Sequence, residues 1–193
     1  MFFLFMALEG AHSRSKRSKN KYLENLIMEI AKGNTGALAE FYKATDSSIY
    51  GFALSILKRP HEAEDVMHDA YLKIYEAADT YQPLGKPMAW ILTIVRNLAL
   101  SRFRLKDESN LPLEDDRIMS DSYDFTELTI DRVILDMALG TLTDEECQIV
   151  VLHSITGLKH REIAEILGLP LSTAISKYHR SLLKLRKKIK EEI

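Results

Sequence analysis

The sequence predicts an all-α protein made of two small helical domains joined by an acidic linker, the C-terminal one a helix-turn-helix. Three observations carry that expectation. Glycine and proline are sparse, 8 and 5 among 193 residues, while 28% of the chain is charged. Apolar residues recur at helical spacing along nearly the whole length, and no stretch alternates in the manner of a strand. The periodicity lapses at 106–126, where the chain turns acidic, as a linker does.

The elements follow in order. Residues 1–21 read as a disordered or mis-called tail. Its first eight residues are apolar, but no basic segment precedes them and they do not read as a signal peptide; they are far too short to span a bilayer. Residues 14–21 are basic. The first domain, 22–105, opens with a helix at 22–32 that closes at Gly33. A second helix at 35–58 carries Leu38, Phe41, Ile49, Phe52, Ala53, Ile56 and Leu57 on its core side. Pro60 opens a third at 61–78 with Val66, Ala70, Ile74 and Ala77 inward. The loop 79–86 holds both Pro83 and Gly85 and breaks the pattern. Pro87 then starts a fourth helix that runs to Leu105.

The second domain, 127–193, is the richest in signal. Thr143 can cap a helix, with Glu146 three residues on to complete a capping box. That helix carries Ile149, Val150 and Leu152 and stops near Gly157. A short helix at 159–167 turns Ile163, Ala164 and Ile166 inward, and Gly168-Leu169-Pro170 makes a tight turn into a third. There Ala174, Tyr178, Leu182, Leu185 and Ile189 form the core stripe, while Thr173, Lys177, Arg180, Lys184 and Lys187 form a polar and cationic one. A basic last helix is by itself equally a solvated face that complements the helix dipole. The turn and the two short helices ahead of it favour presentation to a DNA major groove.

The formal net charge of −2 hides an asymmetry. Residues 158–190 hold nine Lys/Arg against two Glu, whereas 107–131 hold nine Asp/Glu against one Arg. The single cysteine, Cys147, excludes an internal disulfide and a multi-cysteine zinc site; among acids in a helix's first turn its thiol is expected raised and unreactive. His61, Glu62, Glu64, Asp65, His68 and Asp69 cluster on the third helix. A HExxH zinc site would need histidine where Asp65 stands, so no metal is assigned; an acidic face for a basic partner is the better use. Trp90 reads as core, and Arg96, Asn97, Arg102 and Arg104 mark other faces of the fourth helix. There is no phosphate-cradling glycine loop, nucleophile elbow or apolar pair of catalytic acids, so no enzyme, catalytic residue or cofactor is expected.

Two stretches carry a family resemblance. Residues 62–75 (EAEDVMHDAYLKIY) followed by 89–100 (AWILTIVRNLAL) resemble the second region of bacterial sigma factors, and 142–188, centred on Ile163-Ala164-Glu165-Ile166-Leu167-Gly168, resembles their fourth. Two regions with a short linker are similar to the extracytoplasmic-function (ECF) group of the sigma-70 family. The resemblance implies a cytoplasmic factor that binds core RNA polymerase, recognises promoter DNA and promotes transcription initiation, without bond chemistry of its own. It implies that Glu62, Asp65, His68 and Asp69 dock on the clamp of the largest polymerase subunit. Tyr81, Lys86, Arg96, Asn97, Arg102 and Arg104 would engage minus-ten DNA, with the 79–86 loop capturing a flipped base. Ser172, Thr173, Ser176, Lys177, Arg180 and Lys184 would engage the minus-thirty-five major groove, with the C-terminal domain on the flap of the second-largest subunit. The acidic linker would thread the RNA path, and an anti-sigma partner is implied; no membrane insertion is. The chain departs from the family pattern at His68, Lys159, Ile175 and Ser101, where glutamine, a helix-capping serine, a cation and aspartate are common. The alternative reading is a stand-alone helix-turn-helix repressor, which has no use for the Trp90 helix and the loop before it.

Overall fold

The computed structural model describes residues 12–108 and 140–191, which are helical with short connections and contain no strand. Helices α1 (His12–Ala31), α2 (Thr35–Leu57), α3 (Pro60–Ala77) and α4 (Pro87–Glu108) form an N-terminal group. Helices α5 (Asp144–Ser154), α6 (His160–Leu167) and α7 (Leu171–Glu191) form a C-terminal one, and a single 3-10 turn, Ala78–Thr80, follows α3. The apolar opening, the segment 109–139 with most of the acidic linker, and residues 192–193 lie outside the described residues.

Local chemistry sets the boundaries. Asn34 caps α2, its Oδ1 accepting from the backbone N–H of Gly36 (3.0 Å) and Ala37 (3.2 Å), which satisfies two of the donors a helix start leaves open. Lys58 ends α2 in the left-handed region, φ 59°, and Pro60 starts α3 where its missing N–H costs nothing. Two boundaries differ from expectation. Helix α1 begins at His12 rather than near Tyr22, so part of the expected tail is helix; Asn20 donates to the Gly85 carbonyl at 2.8 Å and fastens this extension to the fourth-helix loop. Helix α4 runs past Leu105 to Glu108 and absorbs the first linker residues.

Phe41, Phe52, Ile49, Met67, Ile74, Ile91 and Leu92 are fully buried among α2, α3 and α4. Each such side chain contributes on the order of 1.5–3 kcal/mol. Cys147, Ile149, Val151, Leu152, Ile163 and Ala174 fill the C-terminal core. Leu38, Leu182 and Ile189, expected inward, are only half-buried. Ser181 is fully buried on the core side of α7, where the apolar pattern offered nothing; its hydroxyl donates to the Lys177 carbonyl at 2.8 Å and brings its own partner.

The two groups pack on each other. Helix α5 lies along α2, and α6 lies against α4. Lys58 Nζ stands 3.5 Å from Asp144 Oδ1 and joins the end of α2 to the start of α5. Burial pushes the neighbouring Cys147 thiol up, with Lys58 acting against it, in the direction expected.

Candidate polymerase and nucleic-acid interfaces

The first surface is the outward face of α3. With Ala63, Val66, Met67, Ala70 and Ile74 buried, the helical period turns Asp65, His68, Asp69 and Leu72 the other way. Asp65 and Asp69 are exposed, and Arg102 of α4 bridges them, 2.5 Å from Asp65 and 3.7 Å from Asp69. His68 donates from Nδ1 to the Glu64 carbonyl at 2.8 Å, which leaves Nε2 for an outside partner. Glu62 stands apart, drawn back 2.8 Å from Arg59 with only 17% of its side chain exposed. Sequence reasoning missed Leu72 and Tyr75, exposed at 64% and 47% on this face. An apolar residue out of phase with the core stripe was the available signal.

The second surface is the loop before α4. Glu24 of α1 holds it, Oε1 accepting from the Tyr81 hydroxyl (2.8 Å) and from the Gly85 N–H (2.7 Å). Gly85 has φ 75°, where a side chain would be strained. The Tyr81 ring packs on Trp90 with centroids 5.0 Å apart, and burial together with the Glu24 carboxylate pushes the Tyr81 phenol well up. Trp90, expected in the core, is half-buried and lines a cleft. Glu24 itself was invisible in the sequence, because nothing local marks a carboxylate that reaches a loop far along the chain.

That cleft has a volume of about 470 Å³, with Tyr81, Lys86, Trp90 and Thr93 on one side and Glu165 and Ile166 of α6 on the other. Lys86 Nζ lies 3.8 Å from Glu165 Oε2 across it. Farther along α4, Asn97 and Arg104 are exposed and share the Trp90 face by helical spacing. Arg96 is half-buried on a flank, and Arg102 turns to α3.

The third surface is α7, delivered by a short turn. Gly168 closes α6 at φ 69°, and the N–H of Leu169 reaches the Ala164 carbonyl at 2.9 Å. At the start of α6, Glu162 accepts from the Lys159 N–H at 2.7 Å, so the helix start is held although Lys159 replaces a capping side chain. Within α7, Ser172, Ser176 and Arg180 are exposed and Thr173 is half-buried. Lys177 and Lys184 are engaged inside the domain, at 2.9 Å from Glu145 and 2.7 Å from Glu146 on the first turn of α5. The capping box expected at Thr143 is used from the glutamate side: Glu146 accepts from the Thr143 N–H at 3.2 Å. Burial pushes the Glu146 carboxyl up, but Lys184 and Thr143 pull it below the usual range overall. His153, His160 and Tyr178 form an aromatic cluster with centroids 4.5–4.9 Å apart, the Tyr178 ring edge-on to both imidazoles. Among the described residues no group of histidine, cysteine and acidic side chains is placed to hold a metal ion, and no helix is long and apolar enough to cross a membrane.

Comparison with known proteins accounts for both halves. Residues 41–108 match the sigma-70 region 2 family, and residues 132–185 match sigma-70 region 4. The chain belongs to the ECF group of the sigma-70 family. The ECF sigma factor SigK of Mycobacterium sp. (strain KMS) is 27% identical, the match covering 80% of this chain and 84% of that one. SigW of Bacillus subtilis (strain 168) is 25% identical, covering 88% and 97%. The solved structure of CnrH with the cytosolic domain of CnrY superposes with a TM-score of 0.61 at 19% identity, covering 89% of this chain and 99% of that one. The sigma factor RpoE of Bartonella quintana, solved with the anti-sigma factor NepR, gives 0.60 at 20% identity, covering 78% and 97%. Those likenesses agree with the all-α, two-domain fold. In this sigma factor the region 2 match takes in α2 from Phe41, α3, the loop before α4 and α4, and the region 4 match takes in α5, α6 and α7 as far as Leu185. A stand-alone repressor would leave residues 41–108 unexplained.

Proposed function

We propose that this ECF sigma factor docks on core RNA polymerase through the outward face of α3. Asp65, His68 and Asp69 supply charge and hydrogen-bonding groups to a basic part of the largest-subunit clamp, Leu72 and Tyr75 supply apolar area, and Glu62 supports the helix start. Exposed apolar area beside charged and polar groups suits a specific protein contact.

Minus-ten DNA is taken by the Tyr81–Lys86 loop and the Trp90 face of α4. The Tyr81–Trp90 pair offers a flipped base an aromatic wall, and stacking is worth about 1–3 kcal/mol per base, enough to offset the few kcal/mol that extrusion costs. Asn97 and Arg104 continue along the strand's path. Arg96 flanks it, and Arg102 sits between this surface and the polymerase face. Ser172, Ser176 and Arg180 meet minus-thirty-five DNA, with Thr173 on the flank; Lys177 and Lys184 fix α7 on α5 and so set its angle. Region 4 rests on the flap of the second-largest subunit, and an anti-sigma factor sequesters the protein, as the complexed state of the two solved neighbours supports. The factor works in the cytoplasm and performs no catalysis.

The observation that carries this reading is the pairing, in one chain, of an aromatic-walled cleft on region 2 with a helix-turn-helix on region 4. The deciding experiment is co-purification with bacterial core polymerase followed by run-off transcription from genomic fragments. Stable association and new start sites are expected. Association without transcripts would leave only an adaptor, and tight duplex binding by the free chain without polymerase would restore the repressor.

A further inference from the structure

Helix α7 exposes three large apolar side chains, Leu171 and Ile175 in its first two turns and Leu183 farther along. Leu171 and Ile175 are 44% and 37% exposed and stand one turn apart, so their Cβ atoms are about 5–6 Å from each other. Between and beside them lie Ser172, Ser176 and Arg180, all exposed. We propose that Leu171 and Ile175 read thymine methyl groups in the upstream promoter element. This rests on the placement of α7 against upstream DNA proposed above.

The chemistry of the major groove leaves one apolar feature to read. Guanine, adenine and cytosine edges present only donors and acceptors there, and thymine alone adds a C5-methyl group. A leucine or isoleucine against any other edge strips water from a polar atom and gives nothing back. Against a thymine methyl the same side chain buries apolar area on both partners. The separation of the two residues spans one to two nucleotide steps of about 3.4 Å, so the thymines should be neighbours or one position apart.

The polar groups alongside agree with a base-reading face. Ser176 donates its hydroxyl to the Thr173 carbonyl at 3.1 Å, which leaves the oxygen lone pairs to accept from an adenine or cytosine amino group. Arg180 carries the positive charge that a phosphate backbone complements and an apolar protein partner would not. An A·T-containing step with a methyl group on one strand and an adenine amino group on the other satisfies Ile175 and Ser176 together.

The test removes methyl groups and nothing else. Holoenzyme containing the full chain is bound to a promoter fragment mapped by run-off transcription, with each upstream thymine replaced in turn by deoxyuridine. One or two positions should weaken binding by about fourfold each, the factor for losing one buried methyl-sized group. At those positions thymine and uracil should bind alike once Ile175→Ser or Leu171→Ser is introduced. Equal binding of thymine and uracil throughout an upstream element that is still footprinted would overturn the proposal and leave the sigma-factor reading intact. An upstream element of G·C pairs alone would do the same. Loss of the upstream footprint altogether would overturn the placement of α7 and this proposal with it.

Discussion

Lys86 of the loop before α4 and Glu165 of α6 face each other across the cleft at 3.8 Å, with half or more of each side chain exposed. An exposed pair of this kind contributes under about 1 kcal/mol, so Glu165→Gln should change little. Reversal is different: Glu165→Lys places like charges at the mouth of the cleft and should shift the chain toward states in which regions 2 and 4 are apart. Fluorescence energy transfer between labels on the two regions should report a longer mean distance, and a single-stranded minus-ten oligonucleotide should bind several-fold tighter. An unchanged distance would mean that the α2–α5 contact, with Lys58 and Asp144 at its edge, holds the regions together without help from the cleft.

Glu24 accepts from both Tyr81 and Gly85 through one carboxylate oxygen. Glu24→Ala should leave the helices and the outward face of α3 untouched and free the loop. Open-complex formation, read by permanganate reactivity of melted thymines, should drop by about tenfold, corresponding to about 1.4 kcal/mol for two lost hydrogen bonds, while association with core polymerase stays as it was. Glu24→Gln, which still accepts from both donors, should recover most of the loss. A parallel fall in polymerase association would show that Glu24 supports the whole of region 2.

The sequence disclosed what local patterns carry. The helical period placed most of the cores of α2 and α3 and, on α7, Ala174, Tyr178 and Leu185 but not Leu182 or Ile189; Gly168-Leu169-Pro170 announced the turn before α7, and Pro87 the start of α4. Contacts between distant elements left no such trace. Nothing near Glu24 marks its reach to Gly85, and Asn20's bond to the same glycine explains why α1 extends into a stretch whose basic composition read as tail. The cationic stripe on α7 was legible as charge. Its division, with Lys177 and Lys184 given to α5 and Arg180 left outward, depended on two glutamates that only the fold brings alongside.

Glu146 anchors that division. It accepts from the Thr143 N–H and from Lys184, and the residue is 7% exposed. Glu146→Gln keeps the shape but removes the charge, leaving the Lys184 ammonium without its counter-charge, and should cost region 4 about 1–3 kcal/mol. Because its folded carboxyl lies below the usual value, its stabilisation is present above the unfolded pKa and is lost as pH falls through the folded one. Urea titrations of the wild type and of Glu146→Gln between pH 3 and pH 6 should therefore converge toward the acid end; a constant gap across that range would remove the ion pair from the explanation.

His160 supplies a second and higher window. Burial, then the neighbouring His153 of α5 and His179 of α7, hold its imidazole below the ordinary 6.5. Its Nε2 is buried without a hydrogen-bond partner, and the Tyr178 ring meets it edge-on with centroids 4.9 Å apart. His153 cannot turn aside to relieve the crowding, because its Nδ1 donates to the Leu158 carbonyl at 2.8 Å. The unfolded chain thus takes up a proton more readily than the folded domain. Stability is full above the ordinary histidine value and falls as pH drops below it, the reverse of a histidine that gains an acidic partner. Thermal unfolding should show region 4 losing stability between pH 7.5 and pH 5.5. His160→Phe, which keeps an aromatic ring in the cluster and removes the titration, should flatten that slope without lowering stability at pH 7.5. A slope that survives the substitution would remove His160 from the explanation.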